Sequence, residues 1–193
     1  FQYDIVPPID ILSVRNIDHT VGDGAKANVK GVSIEAKRGK KIAFIGSNGT
    51  GKSTMLKVLQ NIIPHNKGVI DWAENVKISY FDQEGANLNP ENTVINELHN
   101  RNRTLLDKEI RGALGRVRLT GENVFKKVGV ISGGERAKLC FAIMIEERGN
   151  VLILDEPTNH LDLVSKEELE EALCKFDQTI FFVSHDRYLL NRL

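Results

Sequence analysis

A short apolar run, Lys41–Ile45, leads without a break into Gly46-Ser47-Asn48-Gly49-Thr50-Gly51-Lys52-Ser53, and a helical pattern starts at Lys52. Glycine at three of those eight positions lets the backbone turn tightly and aim successive N–H groups inward, which is how a chain cradles phosphate oxygens. The helix start adds partial positive charge, Lys52 reaches the β- and γ-phosphate oxygens, and the Ser53 hydroxyl is placed to ligate Mg²⁺. Such a loop needs a strand before it and a helix after it. That context commits the chain to an α/β fold with a mostly parallel core sheet.

A second buried strand carries the acids that complement this loop. Val151-Leu152-Ile153-Leu154 is continuously apolar, and Asp155 at its carboxyl end is placed to hold Mg²⁺ directly or through water. Glu156, one residue on, can orient an attacking water or accept its proton. A third segment, Ser132-Gly133-Gly134-Glu135, introduces a helix through Ala137, Ile143 and Met144. A hydroxyl and two glycine amides at a helix start form an anion site. Alone this is a common turn; beside a phosphate loop it points to a second nucleotide.

Short strand-like runs alternate with helical ones along the chain. Ile11–Ile17 and Val29–Ala36 suggest an antiparallel edge sheet, Val69–Trp72 and Val76–Phe81 further strands, and Thr179–Val183 another buried parallel strand. From Asn92 to about Arg148 the pattern turns helical, with Leu105, Ile110, Leu114 and Val117 at mixed three- and four-residue spacing. Ser165-Lys166-Glu167-Glu168 reads as a capping box starting a helix that runs to about Lys175. Cys140 and Cys174 show no paired spacing and read as buried reduced thiols.

Formal net charge is zero over 193 residues, so the domain as a whole has no field attracting nucleic acid. The distribution is uneven: Arg101 to Lys127 holds eight basic residues against three acidic ones, and Glu135 to Glu171 holds four against ten. One lobe could therefore face phosphates. No apolar run approaches a membrane span. Phe1-Gln2-Tyr3-Asp4 lacks an initiator Met and a signal-peptide layout, and reads as a cut from a longer protein.

Taken in order, the Walker A loop Gly46–Ser53, Gln83 after a strand, Ser132–Glu135, the Walker B acids Asp155 and Glu156, and His185 after the last strand resemble an ABC-type ATPase over nearly the whole chain. The resemblance implies a P-loop ABC ATPase domain with an N-terminal antiparallel β subdomain and a helical subdomain. It implies ATP and Mg²⁺ as ligands, with Gly46 to Ser53 and Thr54 around the nucleotide. Ser53, Gln83 and Asp155 would be at the metal, and Glu156, His185 and Gln83 at the reacting phosphate. Two domains pair head to tail in that family, so Ser132, Gly133, Gly134 and Glu135 would close on a partner's ATP, and Asn159–Asp162 would cross the interface. Its members stack an aromatic on adenine; here the corresponding region offers His19 or Val21, with Tyr3 as another source.

Within the family, Glu156-Pro157-Thr158-Asn159-His160-Leu161-Asp162, Glu135 and Val183-Ser184-His185-Asp186-Arg187-Tyr188 resemble the ABC-F branch, whose members carry two ATPase domains in one chain and act on ribosomes. About thirty residues separate Lys52 from Gln83, leaving no room for the helical arm of a first domain, so the resemblance is to the second. The expected layout is one domain over 1–193. Residues 1–9 end a linker, 10–86 form the nucleotide core with the β subdomain, 87–148 the helical subdomain, and 149–193 complete the core. The implied partners are a second ABC domain and a ribosome with its rRNA and tRNA, in the cytoplasm, with Arg101–Lys127 as the candidate RNA face. Translation regulation and antibiotic-resistance ribosome protection are the roles this branch suggests. The alternatives are the engine subunit of a membrane transporter and a nucleotide-gated interaction module.

Overall fold

The computed structural model describes residues 6–20, 29–82, 88–159 and 161–193. Among them the chain builds two sheets. Strands β1 (Asp10–His19), β2 (Val29–Lys37) and β4 (Lys67–Trp72) form an antiparallel sheet in the order β2-β1-β4. Strands β3 (Lys41–Phe44), β5 (Ile78–Asp82), β6 (Val151–Asp155) and β7 (Thr179–Val183) form a parallel sheet ordered β3-β7-β6-β5. The antiparallel edge sheet and the parallel core both follow the sequence reading.

Strand alternation decides what each face of the parallel sheet carries. Val151, Ile153, Phe181 and Val183 point to one side, where they join Met55, Leu56, Val58 and Leu59 of helix α1 (Lys52–Leu59) and Ile11, Val14 and Ile17 of β1. Leu152, Leu154, Ile180 and Phe182 point to the other. There they meet Ala137 and Met144 of α4 (Gly133–Glu146) and Leu169 and Leu173 of α5 (Leu163–Lys175). The helix after the phosphate loop is thus held between the two sheets. Trp72 adds a tie: its indole N–H donates to Leu59 O at 2.9 Å, and its ring stands edge-on to Phe181 at 5.8 Å.

The stretch after Asn92 divides into α2 (Val94–Arg101), α3 (Asp107–Arg116), two 3₁₀ turns at Gly121–Phe125 and Val128–Val130, and α4. The mixed spacing has its cause in that division: Ile110 and Leu114 lie on α3, Leu105 precedes it and Val117 caps it. These residues bury a separate core with Val94, Leu98, Leu119, Leu139 and Ile143.

Two expectations need correction. Helix α5 begins at Leu163, and its cap is Asp162, which accepts from Ser165 N–H at 2.9 Å and from Ser165 Oγ at 2.8 Å. Ser165 is therefore inside the first turn, because a carboxylate three residues earlier satisfies both its amide and its hydroxyl. Cys140 is buried as expected, but Cys174 is exposed. At the far end of α5, the Lys41 ammonium donates to Phe176 O at 2.5 Å and Gln178 O at 2.6 Å, neutralising the helix terminus. Burial, the largest influence on Lys41, holds its pKa below the ordinary lysine value.

Candidate functional site

The carboxyl edge of the parallel sheet gathers the predicted chemistry. Register sets Phe44 and Asp155 on either side of Val183, so the phosphate loop, the Walker B acids and the His185 turn all leave the sheet at one level. In the loop, Gly49 and Gly51 have φ of 78° and 92°, a left-handed conformation that costs glycine little. A Cβ on Gly46 would lie 3.0 Å from Thr50 Oγ1, which itself donates to Ser47 O at 2.9 Å. Lys52 Nζ donates to Gly46 O and Ser47 O, both at 2.9 Å, which fixes its charge over the loop. Asn48 and Thr54 complete the predicted cradle, Thr54 in the first turn of α1.

The Ser53 hydroxyl donates to Asp155 Oδ1 at 2.9 Å. A hydroxyl and a carboxylate converging at the end of the phosphate loop are the oxygen donors that Mg²⁺ prefers, so these residues fit the ion. Gln83, the third residue expected at the metal, lies outside the described residues. Asp82, immediately before it, is in register with Asp155.

Glu156 is the conformational exception of the site. Its φ is 47°, a region non-glycine residues rarely occupy, and its N–H is held by Val183 O at 2.9 Å. The carboxylate turns toward the next strand's exit, where Oε2 accepts from the His185 N–H at 3.2 Å and Oε1 lies 3.4 Å from His185 Nε2. Two of the three residues expected at the reacting phosphate thus meet, with Glu156 mostly enclosed and His185 about half exposed; the third is Gln83.

Ser132 caps α4 in a reciprocal box. Its hydroxyl accepts from Glu135 N–H at 3.2 Å, and Glu135 Oε2 accepts from Ser132 N–H at 2.9 Å. That leaves the first-turn amides of Gly133 and Gly134 without intrahelical acceptors, as an anion site requires. The Ser132 amide bond to Glu135 is the main cause of a carboxyl pKa below the ordinary range.

A profile of the family described as ABC transporter matches residues 29–159. The chain belongs to the ABC transporter family. Its sequence is 47% identical over 84% of its length to YdiF of Bacillus subtilis (strain 168), and 38% identical over 95% to ABC transporter F family member 5 of Arabidopsis thaliana. The F-branch name agrees with the resemblance drawn from Asn159-His160 and Glu135. This cassette spans about a quarter of those relatives, 25% and 26% of their lengths. In fold it is similar to the ATP-binding cassette MJ0796, seen dimeric and bound to ADP and Pi, with a TM-score of 0.81 and 21% identity over 94% of this chain and 91% of that one. A second dimeric structure of the same bacterial cassette gives a TM-score of 0.83 at the same identity and coverage.

Several expected features sit differently in this ABC cassette. His19 is only 8% exposed, and its Nδ1 lies 2.7 Å from Pro64 O, so its ring is committed to the fold and offers little face to a base. Val21, Tyr3 and His160 lie outside the described residues. Within the basic strip, Arg101 pairs with Glu97, Arg116 with Glu146, Arg118 with Glu168, Lys126 with Glu135 and Lys127 with Glu91. Arg111 lies over the Phe125 ring. Acids from flanking segments therefore answer most of the charge. The left-handed Glu156 and its anchor on Val183 O were not legible in the sequence, where nothing marks a glutamate for positive φ.

Proposed function

We propose that this cassette hydrolyses ATP to ADP and phosphate as one half of a head-to-tail pair of ABC domains, in an F-branch protein that acts on the ribosome. The observation that carries the reading is the convergence of Ser53 on Asp155 and of Glu156 on His185 at one sheet edge. Gly46 to Ser53 and Thr54 enclose the phosphates, and Lys52 moves its ammonium from the loop carbonyls to the β/γ oxygens. Bound Mg²⁺ would supply positive charge at those oxygens, held by Ser53, Asp155 and Gln83. Glu156 takes a proton from the attacking water, while His185 holds the carboxylate and contacts the γ-phosphate. Ser132, Gly133, Gly134 and Glu135 serve a partner's nucleotide, since their hydroxyl and amides form a second anion site.

The domain scheme of 1–9, 10–86, 87–148 and 149–193 belongs to this reading, as do a cytoplasmic setting and contact with rRNA or tRNA. Among the described residues no helix is long and apolar enough to cross a membrane. The F-branch name of the plant relative supports the ribosome assignment. The family description favours one alternative, the nucleotide-binding subunit of a membrane transporter.

Glu156→Gln should keep ATP bound and abolish turnover, and should co-sediment with ribosomes in ATP. Recovery with membranes instead would favour the transporter reading. Turnover by the isolated cassette should be slow and rise with protein concentration, because each copy holds complementary halves of two sites. Brisk turnover independent of concentration contradicts the pairing.

A further inference from the structure

His185 meets Glu156 from within a turn that one buried hydroxyl closes. Ser184, 2% exposed, is the first residue after β7, and its Oγ accepts from Asp186 N–H at 3.0 Å. That bond closes a tight turn with His185 as its central residue. On one side of the turn, Val183 O accepts from Glu156 N–H at 2.9 Å. On the other, Asp186 is the cap of α6 (Arg187–Arg192), accepting from Tyr188 N–H at 2.9 Å and Leu189 N–H at 3.4 Å. Asp186 also lies 3.8 Å from Lys166 on α5. The His185 amide and ring that meet the Glu156 carboxylate therefore lie between two anchored residues, Val183 and Asp186, inside the turn that the Ser184 hydroxyl closes.

We propose that Ser184 is a positioning residue for the Glu156–His185 pair: its hydroxyl fixes the turn that presents both the N–H and the imidazole of His185 to the carboxylate. The inference rests on the ATPase reading above and adds to it a residue that touches neither phosphate nor water. Without the hydroxyl the 184–186 turn loses its closing bond, while the Asp186 cap still seats α6. His185 then drifts from Glu156 without the helix coming loose. A shift of about an ångström in a catalytic group can cost turnover up to about a hundredfold with little effect on substrate binding.

The test uses Ser184→Ala, Ser184→Thr, His185→Ala and the Ser184→Ala/His185→Ala double variant, with histidine ring resonances read by NMR in the nucleotide-free protein. His185→Gln assigns the His185 signal. In Ser184→Ala that signal should move, kcat for ATP should fall about tenfold and KM should change less than about twofold. Ser184→Thr should return the signal and recover most of the lost turnover. Added to His185→Ala, the alanine at 184 should cost nothing more. An unmoved His185 signal, an unchanged kcat, a threonine variant as slow as the alanine one, or full additivity in the double variant each overturns the proposal. A parent protein with no ATP turnover defeats the ATPase reading, yet the nucleotide-free NMR arm still judges the positioning role.

Discussion

The hydroxyl of Ser53 donates to Oδ1 of Asp155 across 2.9 Å, joining two residues 102 positions apart in sequence. One closes the phosphate loop and the other ends β6, so the bond ties the loop to the carboxyl edge of the parallel sheet.

Replacing either partner should separate nucleotide binding from its metal dependence. Asp155→Asn and Ser53→Ala should each bind ATP with the Mg²⁺-dependent gain in affinity cut about tenfold or more. Titration calorimetry with Mg²⁺ and with EDTA measures that gain directly. An undiminished gain in both variants would place the metal elsewhere.

Glu156→Gly should be a more stable protein with no activity. A non-glycine residue at φ 47° carries roughly 1–2 kcal/mol of backbone strain that glycine does not. The melting temperature should therefore rise by a few degrees, whereas Glu156→Ala, which keeps the strain and loses the side chain, should not. A lower melting temperature for the glycine variant than for the alanine one would show that the strain is not there.

Glu135 should make the capping of α4 sensitive to acid. Its folded-state pKa lies below its unfolded one, chiefly through the hydrogen bond from the Ser132 amide. The stabilisation is complete above the unfolded pKa and is lost as pH falls through the folded one. Denaturant melts of Glu135→Gln and the parent should converge as pH drops through the carboxylate range, because the glutamine cannot titrate. A gap that stays constant from neutral to acid pH would contradict this.

The two thiols should label in sequence. Cys174 is exposed and Cys140 buried, so one equivalent of an aromatic disulfide reagent should react at once and the second only on unfolding. Cys174→Ser should remove the fast phase, and its survival in that variant would contradict the assignment.

Much of this architecture was legible because its signals are local. Thr179–Val183 appears as read, since five successive apolar or β-branched residues bounded by polar ones admit little else. The phosphate loop declared its neighbours, and Ser132-Gly133-Gly134-Glu135 declared the start of α4. What stayed hidden depends on tertiary placement. His19 looked available for stacking until Pro64, forty-five positions away, took its Nδ1. The Arg101–Lys127 strip looked basic because its acids, Glu91, Glu97, Glu135, Glu146 and Glu168, lie outside it in sequence. Ser165 looked like a cap because the stronger acceptor, Asp162, stood three residues upstream in what reads as loop.

The placement of Trp72 gives the protein an optical gauge of its own. It is the chain's single tryptophan, and its indole N–H holds the last residue of the helix that begins at Lys52, while its ring rests on the strand leading to His185. Any motion of that helix changes the polarity at one end of the fluorophore and the quenching at the other. Intrinsic emission can thus follow movement of that helix in an unlabelled sample, in real time.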